Sequence, residues 1–87
     1  MENIKELSKI INNIKTENEA YSFLNEILTE SELDVLSKRW RILKMLNEGC
    51  TQRDIAKRLN VSLCKVTRGA KILKNDKSVV KKYLMKG

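Results

Sequence analysis

Apolar residues return every three or four positions along almost the whole chain, which is the period of an amphipathic helix rather than of a strand. Ile4, Leu7, Ile11 and Ile14 form one stripe, Ala20, Phe23, Leu24 and Ile27 a second, and Leu33, Leu36, Trp40, Leu43 and Leu46 a third. With no Pro and three Gly, few positions interrupt the pattern. The expected fold is all-α, with about six helices in a single domain over residues 1–87. Boundaries come from capping signals. Thr16 with Glu19 and Thr29 with Glu32 fit the capping box, in which the Thr hydroxyl takes an orphan N–H of the first turn and the Glu reaches back. Helices are therefore predicted to start near residues 17 and 30. Gly49 can take positive φ and end the second of these. Thr51 caps a short helix that closes at Asn60, and Ser62 caps a longer one from Leu63 to roughly Lys74. Asp76 is expected to open a last helix over residues 77–85.

Within this layout the segment TQRDIAKRLNVSLCKVTRGAKILK, residues 51–74, has the spacing of a helix-turn-helix. Its first helix presents Ile55 and Leu59 inward, with small Ala56 where the second helix crosses. Val61 plugs the turn, and Val66, Ala70 and Leu73 pack the second helix back, as a near-perpendicular pair requires. Leu63, Cys64, Lys65, Thr67, Arg68 and Lys71 are then left facing outward. Recognition helices read base edges with their N-terminal residues, so Lys65 and Thr67 are the residues expected in a DNA groove. Gln52 and Arg53 at the first helix's N-terminus suit phosphates, as do Lys57 and Lys71, and Ser62, Leu63 and Cys64 complete the expected DNA-facing set. The competing reading of these side chains is a solvated basic face.

Charge supports the first of these readings. The formal net charge is +7, but residues 1–36 hold 3 basic and 8 acidic residues (net −5) and residues 37–87 hold 15 basic and 3 acidic (net +12). An acidic segment precedes a strongly basic one, and the basic one contains the helix-turn-helix; double-stranded DNA is the expected partner. The same composition weakens other classes. No His is present, so Ser-His and Cys-His nucleophile systems are absent, and the basic half offers neither an acid–base pair nor a phosphate-cradling glycine loop; no enzyme is expected. Cys50 and Cys64 form no CxxC and have no His to complete a zinc set, so reduced thiols and no metal are expected. The N-terminus lacks the pattern of a signal peptide and no apolar run is long enough to span a bilayer, so a cytoplasmic protein with no membrane partner is expected. At this length an isolated core buries only about 60% of the unfolded surface, so a partner subunit would help.

Across residues 28–74, through LTESELDVLSKRWRILKMLNEG and the helix-turn-helix with its Thr67-Arg68-Gly69, the chain resembles the tryptophan repressor family of bacterial transcription regulators. The resemblance implies an intertwined all-helical homodimer, with residues 1–48 as dimerisation helices and two recognition helices entering successive major grooves of an operator. It also implies L-tryptophan as corepressor, its indole held between Arg39 and Arg68 of different subunits, with Gly69 beside the ring. Leu28 and Thr29 match positions that meet the ligand's amino group. A guanidinium stacks on an indole and pairs with a carboxylate, so the residue chemistry agrees. Ile72 departs from the pattern, standing where a hydroxyl residue helps the ligand.

The individual residues also have plainer readings. Arg39 can pair with Glu32 or Asp34, Gly69 can serve a close helix crossing, Trp40 reads as dimer core, and Cys64 as a small neutral contact. The function expected is a sequence-specific DNA-binding repressor activated by L-tryptophan. The alternatives are a tryptophan-independent regulator of the same family, or a helical interaction module with a basic docking face.

Overall fold

The computed structural model describes residues 1–86, of Lys86 the backbone alone. Six helices follow one another: α1 (Glu2–Asn13), α2 (Glu17–Ile27), α3 (Glu30–Asn47), α4 (Gln52–Leu59), α5 (Leu63–Lys74) and α6 (Val79–Lys86). Among the described residues there is no strand. The chain divides into two compact units, Met1–Asp34 and Val35–Gly87, with the division inside α3.

The capping residues expected from sequence start the helices. Thr16 Oγ1 accepts the Glu19 N–H at 3.1 Å. At α3 the box is reciprocal: Thr29 Oγ1 accepts from Glu32 N at 3.1 Å while the Thr29 N–H donates to Glu32 Oε1 at 2.8 Å. The Thr29 backbone bond, and then its side-chain bond, hold the Glu32 carboxyl below the ordinary carboxylate value of 4.5. Thr51 Oγ1 accepts from Asp54 N at 3.2 Å, and Ser62 Oγ from Lys65 N at 3.4 Å.

Helix ends are as specific as the starts. Gly49 takes φ +94°, which lets its N–H reach Leu46 O and the Cys50 N–H reach Met45 O, both at 3.1 Å. Asn60, at φ 53°, ends α4 in the same way, with the Val61 N–H on Ala56 O at 3.0 Å. Both are paired-bond terminations in which the residue after the left-handed one turns back onto the helix; Cys50 and Val61 accordingly pack against the core.

The last helix differs from expectation. It starts at Val79 and not at residue 77, because Ser78 Oγ takes the cap by accepting from Lys81 N at 3.1 Å. Asp76 is 97% exposed and pairs instead with Lys81 Nζ at 3.5 Å, and Asn75 Oδ1 accepts the Lys77 N–H at 3.0 Å, forming a turn before the helix.

In the second unit the core is Ile42, Met45, Ile55 and Val66, with Leu46, Ala56, Leu59 and Val61 packed around it. This corrects the third stripe. Leu43 is buried and Leu46 half-buried as expected, but α3 also buries Ile42 and Met45, whereas Leu36 and Trp40 remain 42% and 43% exposed. The helix is apolar on two faces, and period alone does not say which one α5 will cover. Gly69 fixes that choice: a Cβ there would lie 3.1 Å from Ile42 Cγ2 and 3.2 Å from Leu46 Cδ1. Its absence is what lets α5 lie close on α3. The close helix crossing therefore accounts for a mid-helix glycine that otherwise costs about 1 kcal/mol against Ala.

In the first unit no residue of α1 or α2 is buried. Leu7, Ile14, Ala20, Phe23, Leu28 and Leu33 are half-buried, and Ile4, Ile10, Ile11, Leu24 and Ile27 are exposed. Ile14 stands just outside α1, in extended conformation.

Candidate nucleic-acid interface and ligand cavity

The α4–turn–α5 unit has one apolar side and one basic side. Ile55 and Val66 are fully buried, and around the same two helices Arg53, Lys57, Ser62, Leu63, Cys64, Lys65, Thr67, Arg68 and Lys71 are exposed. The outward set expected from sequence is thus brought together on the solvent side of the motif. Gln52 is half-buried for a specific reason. Thr67 Oγ1 lies 3.0 Å from Gln52 Oε1 and 3.0 Å from Leu63 O, and when its single proton is given to Gln52 Oε1 it tethers the first residue of α4 to the recognition helix. With its oxygen engaged there, the Gln52 carboxamide keeps its two N–H donors for an anion. Thr67 therefore has a bracing role that spacing did not suggest. Ser62 likewise uses its hydroxyl for the α5 cap.

The second feature is a cavity of about 330 Å³ beside α5, within the size range of small-molecule sites. From α3 it is lined by Leu36, Arg39, Trp40, Ile42 and Leu43; from α5 by Lys65, Arg68, Gly69 and Ile72; and from α6 by Val80. Arg39, Arg68 and Gly69 were expected to share a ligand site, with the two arginines on different subunits. Both arginines border this cavity within one chain. Leu28 and Thr29 belong to the first unit, where Leu28 closes α2 in extended conformation and Thr29 is engaged in the α3 capping box.

Sequence reasoning missed Leu36, Ile42, Leu43, Lys65 and Val80 as lining residues and read Trp40 as dimer core. One signal was available: Lys65, Arg68 and Ile72 recur at spacings of three and four, so they share a face of α5. Nothing signalled Val80, whose helix starts later than its sequence suggests. Among the described residues no group of His, Cys, Asp and Glu could hold a metal, and no helix is long and apolar enough to cross a membrane.

With this geometry, comparison with known proteins is decisive. The chain matches the Trp repressor protein family over residues 2–87. It belongs to the Trp repressor family. A Trp operon repressor homolog of Xylella fastidiosa is 37% identical over 81 residues, covering 92% of this chain and 86% of that protein. A Trp operon repressor homolog of Chlamydia caviae is 32% identical over 77 residues, covering 87% and 76%. One from Haemophilus influenzae is 36% identical over 59 residues, covering 67% and 58%. No solved structure gives a significant match. As a Trp repressor family member this chain is a regulator like the Trp operon repressors, and its all-helical architecture agrees with that family.

Proposed function

We propose that this chain is a homodimeric repressor that binds operator DNA sequence-specifically through α4 and α5 and is activated by L-tryptophan in the cavity beside α5. The observation that carries the reading is the exposed N-terminal part of the recognition helix. Leu63 (47% exposed), Cys64 and Lys65 open α5 with their side chains in solvent, directly behind a Ser62 cap that fixes the backbone. These are the positions from which such a helix reads base edges.

Arg53, Lys57 and Lys71, with Gln52 held by Thr67, are the phosphate contacts, and Thr67 adds its braced hydroxyl at the groove. Arg39 and Arg68 are the cations that meet an indole face and a carboxylate, with the flat backbone of Gly69 beside them; Leu28 and Thr29 supply backbone carbonyls toward the amino group. The exposed apolar residues of α1 and α2 are the surface through which two copies assemble.

Band-shift titrations on a palindromic duplex test the reading. Lys65→Ala should relax the preference among operator variants, and Lys71→Ala should weaken all sequences about equally and lower the salt slope by about 1. Equal effects of the two substitutions on specificity would overturn the assignment of Lys65. A failure of L-tryptophan to strengthen the complex would remove the corepressor and leave the DNA reading standing.

A further inference from the structure

Two uncharged side chains stand at the head of α5 inside a cationic surround. Leu63, the first residue of the helix, is 47% exposed, and Cys64 beside it is exposed as well. Leu63 is the one large apolar residue of α4 and α5 left open to solvent. The turn before it is filled by Val61 and the core by Ile55 and Val66, so packing does not call for a leucine at this position. Around it, residues 51–74 carry seven Lys and Arg against a single Asp, and that Asp54 is paired with Arg58 at 3.5 Å. The backbone beneath Leu63 is fixed from two sides: Ser62 Oγ accepts the Lys65 N–H at 3.4 Å, and Thr67 Oγ1 lies 3.0 Å from Leu63 O.

A surface of this kind fits a polyanion that presents an apolar group at the same place. Two side chains supply far less area than a specific protein interface needs, which disfavours a protein partner. In the major groove of DNA the base edges offer hydrogen-bonding groups with one apolar exception, the 5-methyl of thymine, and that methyl is what an apolar side chain recognises. RNA helices present a major groove too deep and narrow for side chains to read. Cys64, small and uncharged, lets the head of the helix approach the base without bringing a second charge to it.

We infer that Leu63 is a specificity-determining residue that packs on the 5-methyl group of one thymine in each operator half-site. This rests on the reading of α4 and α5 as the DNA-binding unit, and it names a base that the unit selects.

Band-shift titration of the full chain on the duplex it selects from a random-sequence pool, with each thymine replaced in turn by deoxyuridine, tests it. Deoxyuridine keeps the base pair and removes only the methyl. At one symmetric position binding should weaken about fourfold for each half-site substituted, the loss expected for one buried methyl. Replacing that thymine by cytosine should cost more than replacing it by 5-methylcytosine. Leu63→Ala should bind the thymine and deoxyuridine duplexes alike, and Leu63→Met should keep the discrimination. Lys65→Ala should also keep it at this position while binding both duplexes more weakly, and far-UV circular dichroism checks that the variants are folded. Indifference to deoxyuridine at every thymine, or discrimination by Leu63→Ala equal to that of the unaltered chain, would overturn the inference and leave DNA binding intact; the second result would release Leu63 for a protein partner. A pool that never converges would remove the DNA reading and this inference together.

Discussion

The acidic and basic parts of the chain dispose of their apolar residues in opposite ways. In Met1–Asp34, Ile4, Ile10, Ile11, Leu24 and Ile27 are between 39% and 52% exposed and α1 and α2 bury nothing. In Val35–Gly87, Ile42, Met45, Ile55 and Val66 are at most 6% exposed and form a closed cluster. The charge boundary follows the same line, with 3 basic and 8 acidic residues on one side of it and 15 basic and 3 acidic on the other. One unit supplies its own core, and the other has an apolar face that needs a further surface to cover it. A basic unit with its own core and an acidic unit with an exposed apolar face match the proposed division of labour between DNA contact and self-association.

The contrast can be broken most forcefully at the core. Ile55→Ala should cost about 2–5 kcal/mol in urea unfolding, as expected for a fully buried aliphatic side chain; a loss below about 1 kcal/mol would mean that the second unit does not hold the stability. Gly69→Val should cost about 1–3 kcal/mol by overpacking, because the new side chain meets Ile42 and Leu46, and it should also abolish ligand heats in the cavity. In the first unit Ile11→Lys should act on assembly: sedimentation equilibrium should show self-association weakened at least about tenfold, equivalent to about 1.4 kcal/mol. An unchanged dimer would move the interface elsewhere.

The smallest effect concerns pH. The Thr29 bonds lower the Glu32 pKa in the folded chain, so its contribution is complete above the unfolded value near 4.5 and is lost as pH falls through the lowered folded value. Glu32→Gln should therefore flatten the acid limb of the thermal midpoint against pH, without shifting the neutral plateau by more than the capping change itself.

Much of the fold was legible because it is written in local chemistry. Thr16, Thr29, Thr51 and Ser62 cap helices through their own side chains three residues on, and Gly49 and Asn60 adopt left-handed backbone for reasons internal to the residue. Asp76 failed as a cap because Ser78 takes that role, and Lys81 offers Asp76 an ion pair instead; two capping residues so close together cannot be ranked from sequence. The burial of Ile42 on α3 depends on where Gly69 lets α5 approach, a contact between residues 27 positions apart. The site divides the same way. The outward face of α5 followed from period, whereas the Thr67–Gln52 tether and the place of Lys65 and Val80 in the cavity depend on how α3, α4, α5 and α6 meet.

The most direct measurement is selection from a random-sequence duplex pool by the full chain, followed by affinity of the selected duplex against salt. Convergence on a two-fold symmetric sequence, with half-sites about one helical turn apart and log affinity falling steeply and linearly with log salt, is the predicted result. A pool that never converges, or a selected duplex whose affinity is flat in salt, would contradict sequence-specific DNA binding by α4 and α5.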